Sequence, residues 1–185
     1  LKQQSNLDYG LMGFATVGVV VPNFVLAPVL TLLLGVHLRI LPVAGWNDGN
    51  WRSLVLPVFC LSLPLIAYIS KLMRASMIEV MRLNYIRTAR AKGLSEFSIV
   101  SQHALKSAIL PVISFLGPAA ASVLTGSVVV EKIFDLPGIG RYFIQGALNR
   151  DYTLVMGVVI FYAVILIILN LTVDLCYRYL DPKQK

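Results

Sequence analysis

Four stretches of this chain contain no Asp, Glu, Lys or Arg: Tyr9 to Val36, Ser53 to Ser70, Ser107 to Val130 and Tyr152 to Val173, of 28, 18, 24 and 22 residues. Together they make up half of the 185 residues, so all 16 basic and 9 acidic side chains crowd into the other half. A helix rises about 1.5 Å per residue and bilayer hydrocarbon is about 30 Å thick, so about 20 apolar residues cross it. All four stretches qualify, Ser53 to Ser70 narrowly, and predict an all-α polytopic membrane protein with four transmembrane helices. The charged share, 14% against about 25% in a soluble domain, argues against a soluble enzyme or a disordered tail.

The expected division is a segment 1–8, a span 9–36, a loop 37–52, a span 53–70, a loop 71–106, a span 107–130, a loop 131–151, a span 152–173 and a tail 174–185. The first stretch is too long for the apolar part of a signal peptide, and the chain opens on Leu1, which suggests a piece of a longer protein. Four spans put segment 1–8, loop 71–106 and the tail on one face, with 11 basic residues against 5 on the other. The positive-inside rule makes the richer face cytoplasmic, and with it both ends of the chain. That bias accounts for the net charge of +7, so no nucleic-acid partner is called for.

Chemistry is sparse. The spans hold no ionisable Asp, Glu, Lys or Arg for a proton relay or ion-coupling site. His37 and His103 lie in loops on opposite faces, and no metal-ligand spacing, phosphate loop or nucleophile constellation is present. No cofactor, metal or catalytic residue is expected. Cys60 lies within a span and Cys176 beyond the last one, so a disulfide between them is not expected.

Prolines 22 and 28, 57 and 64, and 111 and 118 interrupt the first three spans. They fit either helix packing or a wet cavity, where freed backbone groups find partners. Gly117, Ala121 and Thr125, with Ser122 and Gly126 beside them, strip bulk from one face of the third span. That face suits close helix approach or a pathway equally. Asn170 is expected to bond a neighbouring helix, and Asp174 marks where the chain leaves the membrane.

Loop 71–106 is far longer than a turn requires. Leu72 to Lys92 lacks Gly and Pro, and Met73, Met77, Val80, Met81, Asn84 and Thr88 share a side, which predicts a helix continuing out of the second span. Gly93 stops it, Ser95 caps the next helix, and Glu96 sits in its first turn, where the dipole favours an anion. Ile99, Val100, His103 and Leu105 follow on the way to Pro111. A helix, a glycine corner and a second helix result, and composition alone would also allow an amphipathic pair lying on anionic membrane lipid.

The run Tyr85-Ile86-Arg87-Thr88-Ala89-Arg90-Ala91-Lys92-Gly93-Leu94-Ser95, with His103-Ala104-Leu105-Lys106 and Ile109-Leu110-Pro111 after it, resembles the signature loop of ABC importer permeases. The likeness is to their peptide-transport branch, and within it to the oligopeptide permeases. Gly93 and Ala89 hold the signature's glycine and second alanine, and Leu105 matches. Arg87, Thr88, His103 and Lys106 replace its glutamate, first alanine, isoleucine and proline. Val21-Pro22-Asn23-Phe24-Val25, Leu41-Pro42-Val43-Ala44-Gly45-Trp46, Phe134-Asp135-Leu136-Pro137-Gly138-Ile139-Gly140, Arg150-Asp151-Tyr152 and Leu180-Asp181-Pro182-Lys183 carry the likeness along nearly the whole chain.

The resemblance implies most of a type I ABC importer permease fold in a bacterial inner membrane, with two further spans preceding these four. It implies a permease for oligopeptides, with dipeptide or nickel permeases as the alternatives, and less readily a stand-alone channel or carrier. It implies a second permease subunit, two cytoplasmic ATPase subunits that hydrolyse ATP, and an external peptide-binding protein as partners. The expected coupling element is Ala89, Arg90, Ala91, Lys92, Gly93, Leu94, Ser95, Glu96, Phe97 and Ser98, a short helix near Gly93 to Gln102 docking in an ATPase groove. In loop 131–151, a Pro137-Gly138 turn before Gly140 and an apolar face of Tyr142, Phe143, Ile144, Ala147 and Leu148 predict a short interfacial helix. It is read as an outer gate or docking surface, or as a plain connector.

Overall fold

The computed structural model describes residues 5–180, and among these every regular element is helical. The Leu180-Asp181-Pro182-Lys183 segment lies largely outside the described residues, as do the first four residues and the end of the tail.

Among the described residues three helices are long and apolar enough to cross a membrane: α3 (Arg52–Val80), α7 (Leu110–Ile133) and α9 (Tyr152–Leu180). The first charge-free stretch, expected as one span, is bent within its length, and the bent pair fits one broken span or a re-entrant loop. Helix α1 (Asn6–Val20) and helix α2 (Asn23–Leu30), which runs on as a π turn over Thr31–His37, meet at 105°. The cause is local. The run Val19-Val20-Val21 is β-branched and stiff, and Pro22 forces its predecessor out of the helical region. Val21 is extended (φ −78°, ψ 116°), and so is Pro22 (φ −63°, ψ 145°), whose carbonyl accepts from the Val25 and Leu26 amides to start α2. Pro57, Pro64 and Pro118 leave their helices continuous, and Pro111 sits at the start of α7, where its missing N–H costs nothing.

Two packed clusters lie at opposite ends of the bundle. At one end Ala27, Leu56, Cys60, Val130 and Phe134 bring α2, α3 and α7 together, and the Gly45 amide, from the connection after α2, donates to the Phe134 carbonyl at 2.8 Å. At the other end α3 continues past its apolar stretch. Its last turns, α4 (Asn84–Ala91), α5 (Glu96–Ser98), a π turn over Ile99–Ala104 and α6 (Leu105–Ala108) share a core of Met77, Val80, Ile86, Ala89, Ile99, Ala104 and Ala108. Helix α1 closes on α3 at two points. Gly18 faces Ala67 and Leu63, and Arg74 donates to both Asp8 carboxylate oxygens at 2.7 and 2.6 Å. Cys60 and Cys176 are free thiols, the first fully buried.

Outward faces are strongly apolar: Val159, Ile160, Val164, Ile167, Ile168 and Leu171 of α9 are all exposed. Such a face suits lipid or another apolar helix. The bare face of α7 is used for packing at Gly117, where the Asn170 amide oxygen of α9 occupies the place a Cβ would take. Ser122 and Thr125 of the same face stay exposed, and the Thr125 hydroxyl satisfies itself on the Ala121 carbonyl at 2.8 Å.

Candidate functional site

Loop 71–106 is built as a corner whose backbone bonds are closed locally. Helix α4 ends in a Schellman motif: the Gly93 amide donates to the Arg90 carbonyl at 2.9 Å, and the Leu94 amide to the Ala89 carbonyl at 3.4 Å. The motif needs a left-handed residue, and Gly93 supplies it at φ +80°. Nothing lies within 4 Å of the position its Cβ would occupy, so within this chain the glycine is required by conformation and not by close approach. Ser95 then caps α5, its hydroxyl accepting from the Ser98 amide at 3.3 Å.

Arg90 and Glu96 bridge the corner in fork geometry, at 2.6 and 3.2 Å. These hydrogen bonds hold the Glu96 carboxyl below its usual range, against a smaller opposing effect of desolvation. The pair is exposed, so it sets geometry more than stability.

The two arms of the corner are pinned by Ile86 and Ile99, both at 0% exposure. With Ile99 turned inward, Phe97 is turned outward and is 83% exposed, and Leu94 stands 41% exposed beside it. The corner thus presents an aromatic ring on a tip whose other side is glued to its own core. Tyr85 adds a tie to α6, just ahead of the next span, its hydroxyl donating to the Ser107 hydroxyl at 3.2 Å.

The expected coupling residues divide accordingly. Ala89 is buried as part of the core, and Ser98 is half-buried. Ala91, Lys92, Gly93, Leu94, Ser95 and Phe97 line the exposed tip, and Arg90 and Glu96 brace it. The helix out of the second span does not run on to Lys92. It stops at Val80 and turns through Met81-Arg82-Leu83, with Leu83 extended at ψ 152°. Asn84 and Thr88 are therefore exposed on a separate helix, while Met77 and Val80 join the core with Met73 and Met81 packed against it. Leu105, just past the π turn over Ile99–Ala104, is 39% exposed.

Loop 131–151 folds over the other end. After α7 the chain turns at Asp135 (φ +50°), passes Pro137-Gly138 and enters α8 (Gly140–Leu148). Helix α8 ends as α4 does. The Arg150 amide donates to Ala147 at 3.4 Å, the Asp151 amide donates to Gly146 at 2.8 Å, and the left-handed residue is Arg150 at φ +57°. Asp151 then caps α9, accepting from the Leu154 amide at 3.0 Å. A cleft of about 630 Å³ runs between α8 and α9, bordered by Tyr142, Asp151, Gly157 and Phe161. Tyr142 is 42% and Leu148 77% exposed, so much of the apolar face of α8 is open.

The family described as "Binding-protein-dependent transport system inner membrane component" matches residues 1–185. Similar proteins include the oligopeptide transport system permease protein OppB of Haemophilus influenzae, 49% identical over 183 residues, which are 99% of this chain and 60% of the relative. The protein of the same name in Salmonella typhimurium is 50% identical over 183 residues, with the same coverage. The dipeptide transport system permease protein DppB of Bacillus subtilis is 47% identical over 185 residues, all of this chain and 59% of the relative. The chain therefore spans about 60% of the length of these curated relatives.

Proposed function

The chain belongs to the binding-protein-dependent transport system inner membrane components, and on that footing we propose that it is the pathway-forming part of an importer permease for oligopeptides. Relatives named for oligopeptide transport at 49 and 50% identity support the substrate class over the dipeptides named for a relative at 47%. Multi-pass placement in an inner membrane accords with these relatives and with the apolar helices. In this reading loop 71–106 and both ends of the chain face the cytoplasm, as the basic-residue bias favours.

The observation that carries the coupling role is Phe97. A large ring 83% exposed, on a tip fixed by a Schellman turn, a serine cap and its own core, is the geometry of a rigid knob offered to a groove. The arms behind it continue into α3 and α7, so a push on the knob is delivered to two spans at once. The chain performs no hydrolysis itself in this scheme. Two ATPase subunits receive the corner, a second permease subunit completes the pathway, and an external binding protein meets loop 131–151 around Pro137, Gly138 and Gly140.

Cross-linking tests this directly. In the full-length subunit, Cys176→Ser removes the exposed thiol, Cys60 stays sealed in α3, and Glu96→Cys places a reporter on the corner. Capture of an ATPase subunit in native membranes is the expected result. Failure to capture one, with the subunit inserted and the permease complex intact, would overturn the coupling role. Competition of labelled oligopeptide uptake by unlabelled dipeptides and oligopeptides separates the two substrate readings.

A further inference from the structure

Glu131, near the end of α7, has no part in the coupling scheme, yet its carboxylate lies under the turn that opens α8. It accepts the Gly140 amide at 2.8 Å, and its own carbonyl accepts from Leu136 at 2.9 Å. The two glycines of the turn are fitted around it. A Cβ at Gly138 would fall on the Glu131 carboxyl, and one at Gly140 would lie 2.8 Å from a carboxylate oxygen and 2.7 Å from the Val128 Cα. The Val128 backbone cannot swing away as a side chain can, so α8 starts in van der Waals contact with α7. A carboxylate there also meets the positive end of the nine-residue α8.

We infer that Glu131 is a positioning residue for loop 131–151: it fastens the start of α8 to α7, so that α8 moves with that span as one body. This rests on the reading of the loop as the outer gate and docking surface. The far end of α8 is held independently, by Gly146 against Val155 and by the Arg150 corner. Removal of the Glu131 side chain therefore loosens one end of α8, which keeps only its contact with Val128, and leaves the other end attached.

The test uses the full-length subunit in its assembled transporter, with spin labels at Lys132 and Gln145, both exposed and outside the turn. Glu131→Ala is expected to broaden the distance distribution between them. It is also expected to raise the binding-protein concentration that half-saturates uptake by on the order of ten-fold, the worth of one charge-assisted hydrogen bond, while the maximal rate changes less. Glu131→Gln retains an oxygen acceptor without the charge and should fall between the parent and the Ala variant in both values. Glu131→Leu takes the place of Glu131→Ala if the latter fails to accumulate. A distribution as narrow as the parent's in the Ala or Leu variant overturns the assignment, whatever uptake does. A Gln variant as loose as the Ala variant overturns it too. A broadened distribution with unchanged half-saturation upholds the positioning role and instead removes loop 131–151 from docking.

Discussion

The corner at Gly93 and the corner at Arg150 use the same frame, a helix closed by a Schellman pair and a following helix capped by a side-chain oxygen, at opposite ends of the bundle. They differ in what occupies the left-handed position and in what the turn presents. Glycine at 93 is relaxed there, while an L side chain at 150 costs about 1–2 kcal/mol in that region. The Gly93 corner has a core of its own beneath it and a bare ring on top. The Arg150 corner rests on a neighbouring span through Gly146 and Val155, and exposes Leu148 and Tyr152. One frame serves two tasks: the first corner is stiff and offered outward, the second tolerates strain because the span beside it carries the load.

Charging the ring should break this contrast most severely. Phe97→Asp leaves the buried side of the corner intact, so the subunit should insert normally, while peptide uptake falls to background and the ATPase subunits are lost on purification. Retained ATPase with retained uptake would mean that the knob contacts nothing. Next comes the core. Ile99→Ala empties a fully buried site, and such truncations cost about 2–5 kcal/mol. Limited proteolysis of membranes should then cut between 81 and 108 first, and leave 134–151 protected. Equal cleavage at both ends would show that the two corners share one cooperative unit.

Exchange of the left-handed residues sharpens the comparison. Gly93→Ala should lower stability by about 1–2 kcal/mol, since the space is open but the conformation is not. Arg150→Gly should gain less than about 1 kcal/mol, because relief of strain is offset by a more flexible unfolded chain. Thermal unfolding of the detergent-solubilised transporter reads both, and equal and opposite shifts would contradict the unfolded-state argument. Smallest is Arg90→Gln. Glu96 has a lowered folded-state value, so the pair contributes fully above the ordinary carboxylate value of 4.5 and fades as pH falls through the lower one. Wild type and variant should therefore differ slightly in proteolysis of the corner at neutral pH and converge in acid. A difference that grows in acid would reverse the sign.

Legibility in the sequence followed the strength of local signals. Gly93 and Ser95 announce their corner because a glycine stop and a serine cap each have few other uses at a helix end. The Arg150 corner carries no such mark, since an arginine at positive φ is invisible until the hydrogen bonds around it are seen. Six prolines stand within the charge-free stretches, and only Pro22 breaks a helix sharply. The valine run before it distinguishes that site, but only in retrospect. The break at Met81-Arg82-Leu83 has neither Gly nor Pro and arises because turning α4 brings Ile86 and Ile99, 13 residues apart in sequence, into one core. Phe97 lay inside the expected coupling element, yet its outward direction depends on that same core.

The elbow at Pro22 is made by its own residues but kept in place by distant ones. Tyr9 to Val36 is apolar and long enough to cross a bilayer, yet the valines and Pro22 bend it. Beyond the bend, α2 is seated on Leu56 and Cys60 of α3 and on Val130 and Phe134 of α7, the last of which also anchors Gly45. A side chain at 134 therefore steadies the arm that leaves an elbow at 22, and the direction of that arm is a property of the bundle as much as of the proline.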